Sequence, residues 1–460
     1  MSRYAAALDF GSSKVALAVG EKTDAGVRIV SYHDAPAAGI ECGEIANDFK
    51  VGEIVRTLVD RAQAELQESI GEVTVGLSGR VLHSKDLPCE IKRKDPESHI
   101  TPEEVRQITR SRYRVALEGG EVVFDAIPQR YSTEDRIGIT GDELIGMVGG
   151  TIEADFKLFY GRKALLDRRK AILADCGLTP GKAILTPIAS ARAVLSAPEM
   201  ENGVALVDIG GSTTEVAIIK ENIVRDAAII PFGGDAVTAD IKTVTGITGQ
   251  WAETLKVLHG RCCEEYAVEN KKLILKNENN SDDGEVEISL LARVIEARMS
   301  EIFDAVRFVI ERSGYATRLT SGVVITGGSC HLDNIIQLAG ALLGQKIRLA
   351  APQGSITGDS VEDAFDVYAS TAVGLVLETI EPKLSHAIDD RDEAVPQLDE
   401  KPVEVSLFEE EEPEELPRLS PREERKRKKE EERKKNAAKK PKKEKGPSIF
   451  DYLFSDNDNA

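Results

Sequence analysis

A strand–turn–strand pattern that occurs twice constrains this chain more than any other feature. Val204 to Ile219 reads VALVDIGGSTTEVAII: an apolar, β-prone run ends in Asp208, a turn Ile209-Gly210-Gly211-Ser212-Thr213 follows, and a second β-prone run leaves. Two strands joined by such a turn can present several backbone N–H groups and two hydroxyls to one anion. Glycine matters there because a Cβ would block close approach of the backbone to a phosphate. Asp208, at the strand end, stands where a carboxylate can hold the waters of a phosphate-bound Mg²⁺. An ordinary glycine hairpin would read the same way if it stood alone.

It does not stand alone. Ala6 to Gly20 reads AALDFGSSKVALAVG, with Asp9, then Gly11-Ser12-Ser13, then Lys14 between two apolar runs. The copies lie about 200 residues apart, too far for a short tandem repeat, and are expected to be two halves of a duplicated fold facing a common ligand. Val323 to Leu332 (VVITGGSCHL) adds a third element, a β-prone run that breaks at Gly327-Gly328-Ser329 before a helix. Bare backbone at a helix start lets a flat purine or ribose lie close. In this order and spacing the three resemble the phosphate-one, phosphate-two and adenosine motifs of the actin-like ATPase superfamily. The resemblance implies an α/β, actin-like (ribonuclease H-like) two-domain ATPase fold with Mg-ATP clamped between the domains. Asp9 and Asp208 are then the residues expected to hold Mg²⁺ through water, and Lys14 the one to neutralise phosphate charge.

The length, 460 residues, allows two or more domains with sizeable cores. A formal charge of −20 argues against nucleic acid as partner of the whole chain. Six cysteines (Cys42, Cys89, Cys176, Cys262, Cys263 and Cys330) show neither CxxC nor metal spacing and read as reduced thiols of a cytoplasmic protein. Met1-Ser2-Arg3-Tyr4 is expected to run straight into a strand and not to be a signal peptide, and no apolar run approaches the roughly 18 residues that span a bilayer.

Between the first hairpin and the second, the chain carries an insertion. Val51 to Ile70 is expected to be a helix that buries Ile54, Leu58, Ala62 and Leu66. After the strand at Val73–Leu77 a strand–helix–strand–strand module is expected between His83 and Tyr160, its helix Pro102 to Ala116 capped by Thr101 with Glu104 in the box position. An insertion at this place, together with Leu77-Ser-Gly-Arg80, Ile127-Pro-Gln-Arg-Tyr131 before Gly141, Cys176-Gly-Leu178 and Ala189-Ser-Ala-Arg-Ala-Val-Leu195, resembles the FtsA family of bacterial cell-division proteins. The resemblance runs from about residue 4 to 380; PilM-like and MreB-like proteins are the alternatives within the superfamily. It implies a first domain over 1–82 and 161–196, interrupted by the module at 83–160. A second domain covers 197–230 and 305–384, with a lobe at 231–304.

Within that lobe Glu253 and Lys256 stand at i, i+3 on one helix face. The resemblance places such a pair beside adenine and ribose hydroxyls; a solvated surface pair is the other reading. A long helix, Ser289 to Ser313, is expected to bury Leu291, Ile295, Ile302, Val306 and Val309. Arg298 on it matches the family's Glu-x-Arg element and is implied as a contact for FtsZ, the tubulin homologue, or else forms a helix-surface salt bridge. The position that orients water in actin-type ATPases matches Arg192, which cannot accept a proton. At most slow ATP hydrolysis is therefore expected. A last helix is expected over Val361 to Glu378, where Gly374 allows tight helix packing.

Composition then changes. Residues 385–417 carry 13 Asp/Glu against 2 Lys/Arg, and 418–445 carry 15 Lys/Arg against 6 Asp/Glu. Both blocks are poor in apolar residues and are expected to be a disordered linker over 385–446. Over 447–460 a helix starting at Pro447 places Ile449, Phe450, Leu453 and Phe454 within an arc of about 140°. An apolar face beside a Lys/Arg cluster suits an anionic membrane surface, each basic residue adding about 1 kcal/mol near it. The resemblance implies a membrane-targeting amphipathic helix here. Together these features imply an ATP-binding protein that forms filaments by self-association at the cytoplasmic side of the cell membrane at the division site. It would anchor FtsZ there and help recruit later divisome proteins. A small-molecule phosphotransferase would need a catalytic Asp and substrate pocket that are not located, and a chaperone-type ATPase a β-rich domain after residue 385.

Overall fold

The computed structural model describes residues 3–80, 82–117, 119–267, 271–276, 282–353 and 361–388. The charged segment beyond residue 388, with Ile449, Phe450, Leu453 and Phe454, lies outside them. The chain begins as a meander of β1 (Ala5–Phe10), β2 (Lys14–Thr23) and β3 (Gly26–Pro36), antiparallel throughout. A short ribbon, β4 (Ile40–Glu41) and β5 (Glu44–Ile45), turns at Cys42 and Gly43, both at positive φ as a tight hairpin demands. Helix α1 (Asp48–Leu66) follows, its first turn capped by the Asn47 side chain. α1 packs over β2 and β3. It buries Val51, Val55, Leu58, Val59 and Ala62, while Ile54 and Leu66 are only partly buried. The buried stripe is thus centred differently from the one read from spacing, because the position of the sheet beneath the helix decides which residues face inward. β6 (Glu72–Leu77) then joins β1 in parallel.

The inserted module comprises β7 (His83–Lys92), α2 (Pro102–Ser111), β8 (Glu121–Ser132), α3 (Gly141–Leu144) and β9 (Thr151–Arg162). Its antiparallel sheet has the order β7-β9-β8. Thr101 and Glu104 form the capping box of α2, which ends at Ser111 and tightens into a 3₁₀ turn, Arg112–Arg114. Phe156, Leu158 and Tyr131 fill a core of the module's own. α4 (Lys163–Asp175) starts at the residue after β9, and β10 (Thr179–Leu185) and α5 (Thr186–Val194) close the first half.

After α6 (Ala197–Asn202) the meander repeats as β11 (Val204–Ile209), β12 (Thr214–Lys220) and β13 (Ile223–Ile230). α7 (Gly234–Thr245), α8 (Gly249–His259), the hairpin β14 (Lys272–Lys276) and β15 (Asp282–Glu287), and α9 (Ile288–Arg312) form the lobe that follows. α9 buries all five expected apolar residues. β16 (Val323–Thr326), α10 (Ile335–Leu343), β17 (Ile347–Leu349) and α11 (Ser370–Ile380) complete the order.

The two central sheets share one topology. The first has the order β3-β2-β1-β6-β10 and the second β13-β12-β11-β16-β17, each antiparallel across its first three strands and parallel beyond. α5 and α11 cross between them, and a Cβ on Gly374 would stand 1.8 Å from the Ala189 carbonyl oxygen. The helix expected over 361–378 is broken. Residues 362–365 and 367–369 form 3₁₀ turns around an extended Asp366. The Val367 carbonyl is drawn out to accept from the Gly327 N–H (3.2 Å) and the Thr326 hydroxyl (3.1 Å). All six cysteines are free thiols.

Candidate functional site

Because β1 and β11 hold equivalent places in the two sheets, their C-terminal ends bring Asp9 and Asp208 to one cavity of about 700 Å³. Gly11, Ser12, Ser13 and Lys14 line it from the first hairpin, and Gly210, Gly211 and Thr213 from the second. Glu253 and Lys256 of α8 and Gly327, Gly328 and Ser329 after β16 complete the expected set. Ser212 is not on this wall. The two turns meet closely: a Cβ on Gly211 would stand 2.0 Å from the Ser13 hydroxyl oxygen. The second turn is tied down through its carbonyls. Gly210 O accepts from the Gly234 N–H (3.0 Å) and the Ser329 hydroxyl (3.0 Å), and Gly211 O from the Asp235 N–H (2.7 Å). Gly327 has φ +90°, and a Cβ there would lie 2.3 Å from Asp208 Oδ1. Gly328, by contrast, has open space where its Cβ would be.

Three carboxylates converge. Asp208 accepts from Ser190 Oγ (2.7 Å) and Thr371 Oγ1 (3.3 Å). Glu215 is its cross-strand partner on β12; the matching partner of Asp9 on β2 is Ala16. Glu215 is buried, takes the Ser78 hydroxyl on Oε1 at 2.7 Å, and leaves Oε2 without a hydrogen-bond partner. Loss of hydration and the neighbouring Asp208 push its carboxyl up to about 8. Burial raises Asp9 to about 6 against the pull of Lys14, and burial raises Asp208 too. Like charges held this close call for a cation. Lys14 meets part of that need, yet its ammonium is engaged by Asp34 (3.1 Å) and the Tyr32 hydroxyl (2.6 Å) and lies 3.9 Å from the centre of the Tyr368 ring.

Lys256 pairs with Glu253 (2.8 Å) and donates to the Gly234 carbonyl (3.1 Å), fixing α8 to the start of α7. Arg298 lies elsewhere. It makes a two-pronged contact to Asp240 on α7 (2.6 and 3.2 Å) and pairs with Glu301 (2.8 Å). Arg192 faces α11, 3.5 Å from Glu378, and is not on the cleft wall. The residue of α5 that lines the cleft is Thr186. Spacing alone does not reveal Glu215, Ser78 or Tyr368. The one local signal was an acidic residue inside an otherwise apolar strand.

Paired sheets of one topology with glycine turns meeting in a shared cleft define an actin-like fold. A PilM–PilN type IV pilus biogenesis complex has the same fold, with a TM-score of 0.58 and 16% identity, covering 82% of this chain and 99% of that one. The profile of the family "Cell division protein FtsA" matches residues 205–374. Cell division protein FtsA of Pseudomonas aeruginosa is 30% identical over 371 residues, 80% of this chain and 88% of that protein. The Neisseria meningitidis protein of the same name is 28% identical over 378 residues, covering 81% and 89%. The chain belongs to the FtsA family of cell-division proteins. No helix among the described residues is long and apolar enough to cross a membrane.

Proposed function

We propose that this chain binds ATP with Mg²⁺ in the cleft, polymerises on the cytoplasmic face of the membrane, anchors FtsZ filaments there and helps recruit later division proteins. The observation that carries the nucleotide part is the convergence of both Asp-Gly hairpins on one cavity. The residues present fit the ligand. Gly11, Gly211 and Gly327 stand where a Cβ would strike Lys14 O (2.7 Å), Ser13 Oγ or Asp208 Oδ1, so the turns can pack this closely only with glycine, and Gly328 on the cleft wall leaves open space beside its backbone for a ligand. Asp9 and Asp208 would hold Mg²⁺ through water, with Glu215 adding charge that a divalent cation relieves. Lys14 would be the phosphate partner from the first turn, and Glu253, Lys256 and Gly327–Ser329 would border the nucleoside.

ATP supplies a γ-phosphoryl group whose transfer to water needs a positioned proton acceptor. Arg192 faces away, and the Glu215 carboxyl, pushed up to about 8, holds its own proton near neutrality and is a poor acceptor for another. Turnover is at most slow in this reading, and ATP acts chiefly as a folding and polymerisation ligand. The module at 83–160 would serve protomer contacts or recruitment. Ile449, Phe450, Leu453 and Phe454 would insert at the lipid surface, weakly for one copy and strongly for a polymer.

Co-sedimentation of the ATP-loaded protein with anionic vesicles and FtsZ tests this reading. Wild type should carry FtsZ into the vesicle pellet, and Asp208→Ala and Arg298→Ala should not. Flotation that persists after removal of residues 447–460 would rule out the proposed anchor.

A further inference from the structure

One arginine is buried beside the cleft with no carboxylate in direct contact, although Asp9, Glu44 and Glu215 attract its charge from further off. Arg169, on α4, is 1% exposed and makes no ion pair among the described residues. Its guanidinium donates to three backbone carbonyls, Leu165 (2.8 Å), Gly43 (2.7 Å) and Ser78 (2.9 Å), and lies 5.7 Å from the centre of the Phe10 ring. Burying a cation among carbonyls is costly, so the site must gain something from that geometry. Two of those carbonyls belong to residues of the cleft wall. The Gly43 N–H donates to Ser12 Oγ in the first turn (3.1 Å), and the Ser78 hydroxyl to Glu215 behind the second. One planar fork therefore positions a residue that reaches each hairpin.

The helix carrying Arg169 is joined directly to the module, since β9 ends at Arg162 and α4 begins at Lys163. β9 is the central strand of the module's sheet, so that sheet and α4 share one continuous backbone. The module is also clasped to the second half. Gln129 on β8 donates to the Val224 carbonyl (3.0 Å) and accepts from Arg225 (3.2 Å) on β13. That clasp is a contact that can be made or broken away from the cleft.

We propose that Arg169 is a positioning residue that couples the docking of the inserted module to ligand affinity in the cleft, by holding the Gly43 and Ser78 backbone against α4. The inference rests on the nucleotide reading above. Coupling of this kind is reciprocal, so breaking the clasp changes ATP affinity and ATP changes the module's mobility.

A double-mutant cycle on the full chain tests it, with a fluorescent ATP analogue and Mg²⁺ as the probe. Gln129→Ala should shift affinity at least threefold when Arg169 is present and less than 1.5-fold in Arg169→Lys, which keeps the charge and loses the fork. Equal shifts in both backgrounds, or no shift in wild type, overturn the coupling. If Arg169→Lys does not fold, hydrogen exchange of wild type decides: ATP should change protection of β8 and β9 at least twofold, and an unchanged module overturns the proposal. A wild-type protein that does not bind the analogue overturns the nucleotide reading itself, and the coupling with it.

Discussion

The Ser78 hydroxyl donates to the Glu215 carboxylate at 2.7 Å across 137 positions of sequence, tying the loop after β6 of the first sheet to β12 of the second. Both residues are buried, so removing the donor strands an acceptor rather than exposing it to water. Ser78→Ala is expected to cost about 1–3 kcal/mol in chemical denaturation. The same substitution made on top of Glu215→Gln should cost less, because the amide demands less of its partner. Equal costs in both backgrounds would falsify the link.

Stability should fall as pH rises from about 4 to about 8. The Glu215 carboxyl stands at about 8 against an ordinary 4.5, and Asp9 at about 6 against 3.8. Both bind their protons more tightly folded than unfolded. Their contribution is complete below about pH 4 and is lost as pH climbs through 6 and then 8. In chelator, thermal melts of wild type should therefore drop between pH 6 and 8.5, and Glu215→Gln should show a flatter profile. A wild-type midpoint that rises across this range contradicts the assignment.

At the crossing of α5 and α11 the contact is backbone to backbone, with no flexible side chain to yield. Gly374→Ala would push its Cβ into the Ala189 carbonyl. We expect a loss of about 1–3 kcal/mol, the usual range for overpacking, with the midpoint in urea as the measurement. Unchanged stability would mean that the two helices separate more easily than their packing indicates.

Arg298 offers a way to tell a structural ion pair from a partner contact. Asp240→Asn weakens its two-pronged bridge and leaves the arginine in place. If Arg298 serves FtsZ, Asp240→Asn keeps or strengthens FtsZ pelleting while Arg298→Ala abolishes it. Equal loss from both substitutions, accompanied by equal drops in melting temperature, assigns Arg298 to the fold alone.

Much of the cleft was legible because its signals are local. Asp9, Gly11, Asp208, Gly210 and Gly327 each sit within a few residues of the strand end and turn that place them on the cleft wall, and such short patterns survive in one dimension. Glu215 was not legible. Its environment depends on register opposite Asp208 and on a hydroxyl from another sheet. The broken helix near Asp366 has the same cause, since the carbonyl that leaves it serves a glycine turn 40 residues earlier.

Alternating apolar runs and paired glycine turns by themselves marked the two strand–turn–strand hairpins, and the capping signal at Thr101 marked the start of α2, while the order of strands in each sheet came only from the structure. Backbone propensity and hydrophobic period act over a few residues and can be read without coordinates. Tertiary structure alone decided that Glu215 joins the two aspartates in the cleft, that Lys14 is held by Asp34 and Tyr32, that Arg192 faces α11, and that Arg169 lies buried beside the cleft. Those facts depend on desolvation and on hydrogen bonds between distant segments, and neither exists until the sheets have packed.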